Sequence, residues 1–106
     1  QQGLAKAWVN FNGTGTIATR DSFNLTTLTD NGTGDYSITI ANDMSNANYA
    51  HAGSSGGQNS TSNGAFYSYD QSTARTTTLF RTVMFDVNGT VNDTPIVEVC
   101  VHGDLA

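Results

Sequence analysis

Four Asn-Gly dipeptides divide the chain, at Asn12-Gly13, Asn31-Gly32, Asn63-Gly64 and Asn88-Gly89. This pair is the strongest short-range hairpin signal, because a type I′ turn needs φ > 0 at both central residues. The segments between the turns repeat with period two, the spacing of a strand with one wet face. In Asp35–Ala41, Tyr36, Ile38 and Ile40 alternate with Ser37 and Thr39. In Ala5–Phe11, Ala5, Ala7, Val9 and Phe11 share one face, and Lys6, Trp8 and Asn10 share the other. Further strands are expected over Thr16–Thr19, Asp21–Leu28, Phe66–Tyr69, Thr76–Val87 and Ile96–His102. Pro95 stands at the mouth of the last strand, where its missing N–H does least harm. The pattern predicts one all-β domain over residues 1–106, an antiparallel β-sandwich or small barrel of about seven or eight strands. Helix is expected to reach a turn or two at most, over Asn42–Asn48.

Composition excludes several alternatives. Thr, Asn, Gly and Ser dominate, while Lys and Glu occur once each and charged residues make up only 12% of the chain. Straight-chain charged residues favour helix and Thr and aromatics suit strands, so a helical bundle is excluded and a βαβ enzyme fold is disfavoured. The net charge is −5, and Lys6, Arg20, Arg75 and Arg81 are scattered singly. A nucleic-acid partner would need a basic stripe, so none is expected. No apolar run approaches the ~20 residues of a membrane span, so no membrane insertion is expected, and no leader peptide is visible. The single cysteine cannot form an intrachain disulfide.

Few residues offer chemistry. His51, Ser54 and Ser55 supply the types for a nucleophilic site, but no strand–turn–helix elbow would hold the serines fixed. His51 reads as a surface residue beside a loop, and no catalysis is expected. Glu98, Cys100 and His102 fall on one strand face, opposite Val97, Val99 and Val101. One strand spaces alternate residues by about 6.6–6.8 Å, so convergence on one ion would need ligands from elsewhere. The plainer reading makes Cys100 a small buried hydrophobe, with Glu98 and His102 near a solvent edge. Asp30–Asp35 and Asp86–Asp93 are oxygen-rich, but both centre on hairpin dipeptides. Neither a metal nor another cofactor is expected.

Two surfaces stand out. The tract Gly53–Gly64 (GSSGGQNSTSNG) holds no hydrophobe and reads as a long surface loop. Gln58, Asn59 and Asn63 within it, with Tyr67, Tyr69 and Asp70 directly after, form a candidate ligand-binding surface of amides and aromatic rings. In Thr76–Val87, Leu79, Arg81, Val83 and Phe85 share one face, and Phe80, Thr82, Met84 and Asp86 the other. Phe80 and Met84, like Trp8 on its polar face, require a cover, and a subunit interface is the expected one.

Four stretches also stand together as a string: Ala5–Thr16 (AKAWVNFNGTGT), Arg20–Asn24 (RDSFN), Thr29–Tyr36 (TDNGTGDY) and Asn46–Ala50 (NANYA). In order and spacing they resemble a module of tail-fibre and other virion proteins of tailed bacteriophages, marine ones especially. The resemblance covers a little under half of the chain. It implies a non-catalytic, β-rich virion domain, often near a fibre's C-terminal tip and trimeric, with Trp8, Phe11, Phe23, Tyr36 and Tyr49 as scaffold. On this reading the domain is a fragment or tip of a longer fibre, assembled in the host cytoplasm. Its partners are its own copies, other virion proteins and a glycan or protein of the host surface. Two alternatives stand beside it: a head-decoration, head-fibre or spacer protein with virion partners only, and a stand-alone carbohydrate-binding module.

Overall fold

The structure, a computed structural model, describes residues 4–56, 66–69, 74–85 and 89–106. Among them are eight strands and no helix: β1 (Ala7–Asn12), β2 (Ala18–Phe23), β3 (Leu25–Gly32), β4 (Asp35–Ile40), β5 (Ala50–Gly56), β6 (Phe66–Tyr69), β7 (Leu79–Phe85) and β8 (Ile96–His102). They form two four-stranded antiparallel sheets, β2-β1-β8-β5 and β3-β4-β7-β6. Two separate sheets over one core make a sandwich, not a barrel. Asn42–Asn48 contains bends and one isolated bridge, between Met44 and Leu105, in place of helix.

Alternation builds the core. Ala7, Val9 and Phe11 from β1 and Val97, Val99 and Val101 from β8 meet Tyr36, Ile38 and Ile40 from β4 and Phe80 and Met84 from β7. The faces of β7 are the reverse of the sequence expectation. Phe80, Thr82 and Met84 point into the core, while Leu79, Arg81 and Phe85 are only partly buried on the opposite side. Phe80 and Met84 are 0% exposed, so they are core residues and cannot form a subunit interface. Period two separated the two faces, but the Arg81–Asp35 ion pair, bidentate at 2.8 and 2.7 Å, accompanies the outer one.

The turns also differ from plain Asn-Gly hairpins. Asn12 accepts from the Thr14 amide and hydroxyl at 3.0 and 2.7 Å, starting a connection of several residues to β2. The β3–β4 reversal centres on Thr33-Gly34, two residues beyond Asn31-Gly32, after a register shift between Asp30 and Gly32. The expected strand over Asp21–Leu28 is broken at Asn24, whose φ is 59°. Asn24 turns the chain from one sheet to the other, and its Oδ1 accepts from the Asn42 backbone and side-chain amides at 2.8 and 2.9 Å. Gly53–Gly56, expected in a loop, instead extends β5 along β8. Cross-strand pairing to a valine-rich strand orders a segment too polar to order itself.

One phenol ties three connections together. The Tyr36 hydroxyl lies 2.8 Å from the Gly13 carbonyl oxygen and 3.1 Å from Asp93 Oδ1, sharing its proton between two acceptors. Asp93 Oδ1 also accepts from the Gly34 amide at 2.7 Å. Burial, then the Asp93 carboxylate, holds the Tyr36 pKa well above the ordinary tyrosine value, so the phenol remains a donor. Gly13 is obligatory there, because a Cβ would come within 2.3 Å of the phenol oxygen.

Tyr36→Phe should therefore lower stability by about 1.5–3 kcal/mol, the cost of losing a charge-assisted hydrogen bond, with a larger fall in Tm for Gly13→Ala. A thermal melt of each variant checks the order. Thr82 is fully buried and its Oγ1 has no hydrogen-bond partner among the described residues. Thr82→Val removes a desolvated hydroxyl without changing shape, and should raise Tm by a few degrees, equivalent to about 1 kcal/mol.

Candidate functional site

The outer face of the first sheet carries the site. Residues directly opposite on antiparallel strands project to the same side, so the register sorts this face into rungs. Phe23, Trp8, Cys100 and Ala52 form one rung, and Asp21, Asn10, Glu98 and Ser54 the next. The first is apolar and the second polar. Trp8 is 37% and Phe23 54% exposed, and they are direct cross-strand partners. Of the five aromatics expected as scaffold, Phe11, Tyr36 and Tyr49 are core residues, whereas Trp8 and Phe23 stand at the surface.

Size steps across the sheet. Large rings stand on β1 and β2, while β8 and β5 present Cys100, Ala52 and Ser54. The step leaves an open groove of about 460 Å³, lined on one side by Trp8 and along its floor by Cys100, Ala52 and Gly53. Such a volume is within the range of small-molecule clefts. Cys100 is half-buried on this outer face, so it is not the core hydrophobe the sequence suggested.

The polar rung is a connected ladder. Arg20 Nη1 donates to Asn10 Oδ1 at 3.2 Å, and its Nη2 donates to the Pro95 carbonyl. Asn10 Nδ2 then donates to Glu98 Oε2 at 3.2 Å, and Ser54 Oγ to Glu98 Oε1 at 3.3 Å. An ionised carboxylate has about four acceptor positions, so Glu98 is oriented by two donors and keeps capacity for a ligand. The arrangement supplies recognition: an aromatic wall beside a row of fixed donors and acceptors. A second, polar groove lies one rung along the same β5–β8 pair, lined by Ala50, His102, Asn46, Asn48 and Asp104 among others.

Of the ligand residues expected from sequence, only Tyr67 and Tyr69 are among the described residues. Gln58, Asn59, Asn63 and Asp70 lie outside the described residues. Tyr67 and Tyr69 fall in β6, at the edge of the second sheet, in register with Met84 and Thr82. Of the expected interface residues, only Trp8 is at the surface. Glu98, Cys100 and His102 do share one face, but no group of three His, Cys, Asp or Glu side chains among the described residues could hold a metal ion. Both halves of the site had a sequence signal: Lys6/Trp8/Asn10 and Glu98/Cys100/His102 were each legible as strand faces. What pattern could not supply was their adjacency, because Trp8 and Cys100 become neighbours only through the β1–β8 pairing.

No protein family, curated protein or solved structure matches the chain. No helix among the described residues is long and apolar enough to cross a membrane.

His51 departs from its expected surface position. It lies opposite Val101 in β5, half-buried, and its ring stacks on Phe80 at 4.4 Å between centroids. Burial, then the Arg75 charge, pushes its pKa down to about 4 from an ordinary 6.5. The unfolded chain therefore binds the proton more tightly between those values, and the His51 contribution is present above pH 6.5 and lost as pH falls to 4. His51→Gln should be less stable than wild type at pH 7, with the gap in Tm narrowing by pH 4. Thermal melts at the two pH values check this.

Proposed function

We propose that the chain is a non-catalytic structural domain of a tailed-bacteriophage virion, a fibre-tip module that contacts the host surface through the outer face of its first sheet. The observation that carries this reading is the exposed Trp8–Phe23 pair beside the Arg20–Asn10–Glu98–Ser54 ladder. The stretches Ala5–Thr16 and Arg20–Asn24, which resemble the virion module, supply Trp8, Asn10, Arg20 and Phe23 to that surface. Large aromatic side chains exposed together mark a contact surface in most soluble folds.

A second reading, an architectural subunit whose partners are copies of itself and other virion proteins, is favoured by β2. All six of its residues are exposed, and it is an edge strand of its sheet. Edge strands are ready templates for pairing with another chain. The homotrimer expected for a fibre tip would use the same exposed edge, β2.

Antibody-gold labelling of intact particles separates the readings. Label at distal fibre ends supports the tip reading, and label on the head or along a shaft supports the architectural one. Particles carrying Trp8→Ala with Phe23→Ala should adsorb to host cells on the order of tenfold less well, since a loss at each copy multiplies across a multivalent tip. Unchanged adsorption with an intact particle overturns the host-contact assignment.

A further inference from the structure

We infer that the outer face of the first sheet is a track for a neutral oligosaccharide, lying along β5 and β8 with one sugar ring against Trp8. The inference rests on the surface-contact reading for the location of the site, and it does not depend on the particle being a virion. Three consecutive rungs form the track: Ser54 with Glu98, Ala52 with Cys100, and Ala50 with His102. Alternate residues of a strand are about 6.8 Å apart, so the three rungs span about 14 Å. That is the length of a short oligosaccharide, not of a single ring.

Every outward side chain of β5 on this track is small, which leaves a floor that a flat ring can approach. Trp8 rises beside it. An indole offers an apolar surface to the C–H face of a pyranose with little rotamer freedom to lose. The ladder supplies the other half of the recognition. Glu98 is held by Asn10 and Ser54 at 3.2 and 3.3 Å, so a pair of adjacent sugar hydroxyls would meet an acceptor already in place. Two rungs on from Glu98, the second groove presents His102, Asn46, Asn48 and Asp104 to a further sugar.

Charge selects the class of sugar. Glu98 and Asp104 both border the track, the chain carries a net −5, and the guanidinium nearest the ladder, that of Arg20, is engaged by Asn10 and the Pro95 carbonyl. A uronic or sialic acid would be placed against like charge, whereas a neutral hydroxyl donates to it. The same carboxylate argues against a polypeptide partner, because charged residues are depleted from the cores of protein interfaces. Its position in the middle of the face fits hydroxyl recognition.

The test uses the purified chain labelled with ¹⁵N. Its probes are neutral trisaccharides (maltotriose, cellotriose, mannotriose and tri-N-acetylchitotriose) and two acidic ones, trigalacturonate and sialyllactose. At least one neutral probe should give saturable shift changes confined to β1, β5, β8 and the adjoining Asn46, Asn48 and Asp104, and should perturb the emission of Trp8, the only tryptophan. Trp8→Ala should weaken that binding by about tenfold or more, the loss of a stacking platform. Ala52→Trp, an addition at an exposed position, should abolish it while the remaining spectrum stays folded. Absence of binding by every neutral probe at millimolar concentration overturns the inference, as do tighter binding of an acidic probe, shifts centred on Tyr67 and Tyr69, or unchanged affinity in Ala52→Trp. Gold label at fibre tips with no neutral sugar bound would remove the ligand class and keep the tip reading. Sugar binding with no label on particles would do the reverse.

Discussion

The hydroxyl of Tyr36 is the point on which the sandwich closes. Three connections far apart in sequence, at Gly13, Gly34 and Asp93, converge on it through the phenol and a single carboxylate oxygen. Its ring meets Phe11 edge-on at 5.1 Å, so the same residue joins the facing sheets through the core. A buried phenol, a buried carbonyl and a partly buried carboxylate would each be costly without partners. Together they satisfy one another, and the geometry that does so permits one placement of the turns. Gly13 belongs to this arrangement because its missing side chain is the space the phenol oxygen occupies.

With that end of the sandwich locked, the two outer faces are left different. The second sheet keeps the Arg81–Asp35 pair, a fork-to-fork contact that satisfies both ions on their own sheet. The first sheet keeps a step between large aromatic and small side chains, and a ladder whose central carboxylate retains acceptor capacity. An ion pair whose members satisfy each other has little to offer a ligand. The outer face of the first sheet is organised without being closed, which is the condition for recognition with little reorganisation.

Much of this was legible from residue pattern. Period two in Ala5–Phe11, Asp35–Ala41 and Ile96–His102 located β1, β4 and β8 to within about two residues and picked the core faces of β1 and β4. In Thr76–Val87 both faces are apolar enough that alternation is symmetric, and the core took Phe80 and Met84 against expectation. Gly53–Gly56 was not legible as a strand, because its pairing energy comes from β8 and not from its own side chains. The break at Asn24 was hidden as well. Its positive φ is held by hydrogen bonds to Asn42, and that partner is invisible to local reasoning.

By itself, then, the sequence determined the fold class. Turn chemistry and alternation act over a few residues, and local sterics suffice to specify short antiparallel strands and exclude long helices. It also determined the β1 and β8 faces of the candidate site. Tertiary structure alone decided that those faces are adjacent, since Asn10 and Glu98 touch only because β1 and β8 pair across 88 positions of chain. It alone decided, too, that Trp8 and Phe23 stay at the surface while Phe80 and Met84 are enclosed. Which of two apolar faces is buried depends on where the opposite sheet sits, and that is a property of the packed whole.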